Sequence, residues 1–238
     1  MCYNIPPGPK FIPMRYHANI HKGSMFFYIL GLMWYFDNFT MGAYLYLALH
    51  GSYGFFWLLK DIMYPDPGFC KPATVMSFLM PWPIALIPYM FIPYWMVTER
   101  PHVSNERMLV ALMLYMNGVM LMMLTDSAKY LVLKERRGLI THCMHAWSRN
   151  MNYVGEQMLY SSFAVLVQKW EVWAIYAYMW GIIFTIRMSV KDYSLGKKVG
   201  WDEYKAKTWI FVPKLYNSTA ASVVIYGGLA ALFYGTYQ

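Results

Sequence analysis

Apolar residues gather into long runs separated by short polar and charged stretches. The first run covers residues 25–49, with Asp37 and Asn38 near its middle. A carboxylate at that depth costs about 2.5–3.5 kcal/mol on insertion scales. Either Asp37 faces the bundle or a water-filled cavity, or the run is two shorter helices with a break. Residues 50–61 are aromatic and end in charges, which predicts an interfacial stretch including His50, and residues 64–68 predict a turn. The second run, 74–97, holds Pro81, Pro83, Pro88 and Pro93 and cannot make a straight helix. Ser104 is the expected N-cap of the third run, 108–124. Residues 126–157 are polar and basic. Two shorter apolar pieces follow, 158–167 and 172–186, divided by Gln168–Glu171. A helical hairpin there returns the flanking basic blocks, 126–157 and 187–214, to one side of a membrane. The last run, 220–237, is rich in Ala, Gly and Ser, as close helix–helix contacts are.

The pattern predicts an all-α, multi-pass transmembrane helical bundle of five or six apolar elements, one pair forming a short hairpin. It divides into an irregular, proline-rich arm (1–24), N-terminal membrane helices (25–125), a polar C-terminal half (126–216) and an appended helix (217–238). Composition agrees: 58% of residues are hydrophobic and 13% charged, against about 25% charged in soluble domains. A disordered chain, a coiled coil and a typical soluble enzyme are excluded. The net charge of +8 lies in the connecting stretches, as juxtamembrane Lys and Arg do, and is not a nucleic-acid signal. Cys2, Cys70 and Cys143 form no disulfide framework, so reduced thiols are expected. His142 and His145 are i,i+3 but have no third ligand nearby, so no metal site is expected. The N-terminus lacks the form of a secretory signal peptide, which leaves the first span as the insertion signal. The glycosylation patterns at Asn38 and Asn217 are expected to stay unmodified.

Chemistry concentrates in two places. Arg149, Asn152, Tyr153 and Glu156 fall within eight residues beside a run that re-enters apolar territory. On a helix, Arg149 with Tyr153 and Asn152 with Glu156 are i,i+4 pairs, and Gly155 admits a close approach by a backbone or a ligand. A guanidinium binds phosphate, an amide reads a base or nicotinamide edge, and a carboxylate accepts ribose hydroxyls. The plain structural alternative is a helix-capping loop in which Arg149 pairs with Glu156. A second polar block spans residues 191–216.

Together these blocks resemble the C-terminal half of the membrane superfamily of steroid 5-alpha-reductases, sterol reductases, and isoprenylcysteine and phospholipid methyltransferases. Its pattern is Arg-His-Pro-Asn-Tyr-x-Gly-Glu/Asp, then an Arg-Asp/Glu pair and a Tyr-Gly, Trp, Tyr and Pro-x-x-Tyr tail. The matches are Arg149, Asn152, Tyr153, Gly155 and Glu156, then Lys191–Asp192, Gly200, Trp201, Tyr204, Pro213 and Tyr216. Asp126 and Lys129 match an upstream Asp-x-x-Lys, followed by Arg136 and Arg137. The resemblance implies a cofactor pocket open toward the basic side. NADPH is the implied cofactor, S-adenosylmethionine the alternative. Arg149, Asn152, Tyr153, Glu156, Asp192 and Tyr204 would line the pocket, and Lys129, Arg136 and Lys191 would contact phosphate. Tyr153 or Tyr204 would donate the proton.

The chain departs from the pattern at Asn150, Met151, Tyr193 and Val199, where the family has His, Pro, an acid and Tyr. Three expectations follow. The first is an NADPH-dependent lipid or steroid enone reductase with an altered site. The second is a non-catalytic accessory subunit of a large membrane complex, for instance a respiratory assembly of the mitochondrial inner membrane. The third is a methyltransferase acting on a lipid or prenylcysteine. Expected partners are membrane lipids and other membrane subunits, engaged through the 220–238 helix and the N-terminal arm. The expected location is the mitochondrial inner membrane or the membrane of the endoplasmic reticulum.

Overall fold

In a computed structural model of the chain, residues 3–236 are described. Cys2 and the end of the last apolar run at Tyr237 lie outside the described residues, as do the side chains of Ala230 and residues 232–236. The protein is an all-α bundle. Its helices are α1 (Arg15–Tyr35), α2 (Met41–Met63), α3 (Val75–Glu99), α4 (Asn105–Glu135), α5 (Met151–Val167), α6 (Trp170–Leu195), α7 (Trp201–Lys207) and α8 (Thr219–Thr236). Among the described residues, α3, α4 and α6 are long and apolar enough to cross a membrane. Two-residue strands, β1 (Ile12–Pro13) and β2 (Pro72–Ala73), form a small antiparallel ladder.

The first apolar run is two helices with a break, not one span. Asp37 takes a left-handed conformation, φ 49°. Asn38 is buried and donates to the Val97 carbonyl at 2.7 Å, while the Thr40 hydroxyl donates to its Oδ1 at 2.9 Å. Thr40 in turn caps α2 by accepting from the Ala43 amide. Arg100 donates to the carbonyls of Phe36 and Asp37 at 2.6 and 3.0 Å. The exposed backbone of the break is thus satisfied by the chain itself.

Several boundaries move outward from the sequence expectation. The irregular arm ends at Met14, because α1 starts ten residues before the apolar run. Residues 50–61 are not a separate stretch: they continue α2, and His50 is buried against Phe163 at 4.3 Å between ring centroids. Helix α4 begins at the Ser104 cap but runs through the polar residues 126–135, so the basic loop starts only at Arg136. Charged side chains on the last turns of a 31-residue helix are tolerated because its length, about 46 Å, exceeds the roughly 30 Å hydrocarbon layer. The four prolines of the second run are absorbed in one long helix with a π-helical stretch at Trp82–Leu86. Wider turns of this kind relieve the missing N–H donors. Helix α6 has a similar stretch at Met179–Phe184.

The hairpin forms as expected, with Gln168 in a left-handed turn between α5 and α6. The turn is tied to the end of α3 and the loop after it: Gln168 donates to the His102 carbonyl at 2.7 Å, and Lys169 meets Glu99 at 2.5 Å. At the opposite end, Ser148 bridges to Trp209 and the Tyr204 hydroxyl donates to the His145 carbonyl at 2.8 Å. The stretches 126–157 and 187–214 therefore meet at one end of the bundle. The arm is held there too. Tyr3 donates to the Gly68 carbonyl at 2.8 Å, and the Ile5 amide to Ser77 Oγ at 2.9 Å. Helices α4 and α5 make the most extensive contact in the fold, followed by α1 and α2.

Candidate functional site: two chambers with a shared wall

The segment Ser148–Arg149–Asn150 opens α5 and is stapled to the chain after α7. Asn150 Nδ2 donates to the Ile210 carbonyl at 2.6 Å, and its Oδ1 accepts from Lys191 at 2.9 Å. Lys191 also donates to the Arg149 carbonyl at 2.8 Å. An amide supplies both a donor and an acceptor here, so Asn150 is a joint between three segments. Arg149 is buried and fully engaged. Its Nε donates to both carboxylate oxygens of Asp192 at 3.1 Å, its second terminal nitrogen lies 3.0 Å from Asp192, and the first donates to the Thr208 carbonyl. The plain alternative, Arg149 with Glu156, does not occur.

Three small cavities with charged side chains in their walls adjoin around Lys129. One, of about 90 Å³, is lined by Lys60, Asp126, Asn152, Tyr153, Glu156 and Lys191 among others. A second, about 220 Å³, extends past Asp66 and Lys129 to Lys134. A third, about 180 Å³, reaches His145, Arg149, Lys198 and Tyr204. Three of the first cavity's five basic side chains are paired: Lys60 with Asp126, Lys129 with Asp66 at 3.0 Å and Arg15 with Asp61 at 3.8 Å. Burial raises the Asp66 carboxyl, but the charge and hydrogen bond of Lys129 outweigh it, and the group ends below its usual value. Burial lowers His145 to about 4, with Lys191 and Lys129 adding to the effect. Burial also pushes Tyr204 up to about 12.

Beside the polar cavities lies an apolar chamber of about 370 Å³ between α1, α3, α5 and α6. Tyr153, Glu156 and Arg187 line both this chamber and the first polar cavity. The Arg187 guanidinium sits 5.8 Å from the Tyr153 ring centroid, and the Tyr153 ring meets Phe184 edge-on at 5.0 Å. Glu156 is buried and makes no ion pair among the described residues. With Trp57 and Phe69, which also line both, these residues form the partition between the two cavities.

Of the residues singled out by sequence, Asn152, Tyr153, Glu156, Lys129 and Lys191 line the first polar cavity. Arg149 and Tyr204 border the third, each fixed by backbone carbonyls, and Asp192 serves as the counter-ion of Arg149. Arg136 is exposed where α4 ends and is not brought to these cavities. Sequence reasoning missed Lys22, Lys60, Asp66 and Arg187. The first three lie in the half that the family resemblance does not cover. A signal existed for α1: His17, His21, Met25, Ile29 and Met33 repeat every four residues and are all buried. That stripe marks a helix face turned inward.

Among the described residues, no group of three or more His, Cys, Asp or Glu side chains is placed to hold a metal. No family model, no curated protein and no solved structure matches this chain.

Proposed function

We propose that the chain is a membrane-embedded reductase that adds a hydride and a proton across a carbon–carbon double bond of an apolar lipid. The observation that supports this reading is the wall of Tyr153, Glu156 and Arg187 between a polar and an apolar cavity. A reaction between a nucleotide and a lipid needs that juxtaposition.

A nicotinamide dinucleotide fits the donor chemistry of the polar side. The first cavity alone is far below the roughly 300–1,000 Å³ of cofactor and ligand sites. Its two neighbours share Lys129 with it, and together the three line the way from Glu156 toward the basic residues Lys134 and Lys198. Asn152 and Glu156 would hold the nicotinamide and ribose end. Lys129, Lys191 and Lys198 would hold the phosphates with the ammonium donors left over from their contacts to Asp66, to Asn150 and the Arg149 carbonyl, and to the Gly138 carbonyl. Arg149 would act by positioning, since its donors are already engaged. When bound, the dinucleotide supplies the hydride.

The protein's own residues do the rest. The Tyr153 hydroxyl delivers a proton to the carbon that does not take the hydride. Arg187, above the ring, stabilises the phenolate left behind. The apolar chamber holds the lipid and keeps bulk water from the reacting carbons. Tyr204, held by the His145 carbonyl away from the shared wall, keeps α7 in place.

Titrating purified protein with NADPH and with S-adenosylmethionine tests the reading. NADPH binds, and Tyr153→Phe lowers turnover by about 10²–10⁴-fold while leaving that binding within a few-fold. Preference for S-adenosylmethionine favours a lipid or prenylcysteine methyltransferase and overturns the reductase.

A second reading, an accessory subunit of a membrane complex, is favoured by α8. Its start is pinned by Ser222 to Leu215 and by Tyr226 to the Pro213 carbonyl at 3.0 Å. Between and beyond these ties, Val223, Val224 and Leu229 stand exposed. In mild detergent this reading requires co-migration with other subunits, and a free 28.0 kDa species counts against it. Fractionation also separates the two: endoplasmic reticulum for a lipid reductase, mitochondrial inner membrane for a respiratory accessory subunit.

A further inference from the structure

Three ionisable groups stand at similar depth inside the bundle without an ion pair among the described residues: Lys22, Glu156 and Arg187. Lys22 is seven residues into α1 and Arg187 eight from the end of α6, each about 10–12 Å below the polar end. Both cations rest on aromatic rings. Lys22 Nζ lies 3.4 Å from the Trp57 ring centroid and donates to the Tyr53 hydroxyl. The Arg187 guanidinium lies 5.6 Å from Phe69 and 5.7 Å from Phe184. All three charged groups line the apolar chamber, which therefore carries two cations against one carboxylate. An uncompensated charge at this depth is costly and marks an ion or ligand site. A second observation points into the same space. Tyr89 lines the chamber, is 5% exposed, and its hydroxyl has no hydrogen-bond partner among the described residues. A third concerns the walls: the π-helical stretches of α3 and α6 both contribute residues to this chamber, among them Ile84, Leu86, Met179 and Phe184. Such stretches recur at functional sites.

We infer that the chamber binds a long-chain carboxylate, with its head group between Lys22, Arg187 and the Tyr89 hydroxyl and its hydrocarbon tail along α3 and α6. The ligand's single negative charge balances the cation that Glu156 leaves over. The chamber's 370 Å³ falls within the range of about 300–1,000 Å³ for such ligands. For the reductase proposed above this names a 2-enoate as the substrate class, whose double bond, next to the carboxylate, would lie beside Tyr153 and Arg187; the inference rests on that reading for the chemistry but not for the binding.

The test uses full-length protein in detergent with radiolabelled oleate, competed by oleate, oleyl alcohol and methyl oleate. Oleate competes at concentrations about tenfold lower, or more, than the two neutral lipids. Lys22→Gln abolishes that preference and Lys22→Arg keeps it. Arg187→Gln repeats the test should Lys22→Gln fail to fold. Equal competition by oleyl alcohol, absence of saturable oleate binding, or retained preference in Lys22→Gln overturns the inference. NADPH titration of the same preparation separates the two claims. Oleate selectivity without NADPH binding removes only the reductase, and NADPH binding without oleate selectivity removes only the carboxylate site.

Discussion

Gly118 on α4 and Gly155 on α5 face each other where the two helices cross, and neither position has room for a side-chain carbon. A Cβ on Gly155 would sit 2.5 Å from the Gly118 carbonyl oxygen and 2.6 Å from the Met122 amide nitrogen, and one on Gly118 would sit 2.6 Å from the Gly155 carbonyl oxygen. The sequence allowed either a backbone or a ligand to approach Gly155, and the neighbour is a backbone. This crossing anchors α5, and with it Tyr153, two residues before Gly155, and Glu156, the residue after it.

Gly155→Ala is therefore expected to destabilise the protein by about 1–3 kcal/mol or more, because rigid backbone must move. Gly31→Ala, where an added carbon meets nothing within 4 Å, is expected to be neutral or to stabilise by roughly 0.5–1 kcal/mol through helix propensity. Denaturant titration in detergent, followed by circular dichroism, reads both. Equal stability of Gly155→Ala and wild type would remove the crossing as the anchor.

The hydrophobic pattern was enough to place most helices and the hairpin, because lipid-facing and core-facing residues are apolar alike. It failed where polar residues extend helices beyond the apolar runs, as in residues 15–24 and 126–135. There, helix continuity comes from backbone hydrogen bonding and capping, which hydropathy does not register. In the site, the i,i+4 grouping of Asn152, Tyr153 and Glu156 was legible. The partner of Arg149 was not, since Asp192 lies 43 residues away and is brought close only by the return of α6. Lys22 was hidden for the same reason, in a segment that looks irregular because of the prolines before it.

Arg149→Ala should destabilise strongly by leaving Asp192, not Glu156, without its partner. The carboxylate is 17% exposed, and breaking a largely buried pair costs about 3–5 kcal/mol. Arg149→Ala combined with Asp192→Ala should recover a substantial part of the loss, a coupling visible in a double-mutant cycle. Lys169→Ala removes a more exposed pair with Glu99 and should cost at most about 1 kcal/mol. Additive losses for Arg149 and Asp192 would refute the clamp.

His145 gives the protein an acid-sensitive joint. Burial and the nearby lysines lower it from 6.5 to about 4, so it is neutral in the folded state while the unfolded chain takes up a proton near pH 6.5. Its contribution is present in full above that value and is lost as pH falls toward 4. Stability should decline by up to about 1.4 kcal/mol per pH unit in this window. His145→Gln should flatten that part of the profile. An unchanged slope between pH 6.5 and 4 would assign the acid sensitivity elsewhere.

The bundle has two distinct ends, and their sidedness can be read by labelling. One end carries the α5–α6 turn, tied to residues 99–102 through Gln168 and Lys169. The other joins residues 145–150 to 204–211 through Tyr204, Arg149 and Asn150. Helix α5 separates the ends with 17 residues, about 26 Å, close to the hydrocarbon thickness of roughly 30 Å. Single cysteines at Lys134, Lys205 and Lys169 are introduced after Cys2, Cys70 and Cys143 are replaced by serine. In sealed vesicles, Lys134→Cys and Lys205→Cys should react with an impermeant maleimide from the same side, and Lys169→Cys from the opposite one. The side of Lys134 and Lys205 should also be the one on which Lys and Arg are retained, because residues 187–214 carry Arg187, Lys191, Lys197, Lys198, Lys205, Lys207 and Lys214 and basic stretches stay cytoplasmic or matrix-facing. Opposite reactivity at Lys134→Cys and Lys205→Cys would break the hairpin topology and, with it, the shared wall at Tyr153 and Arg187.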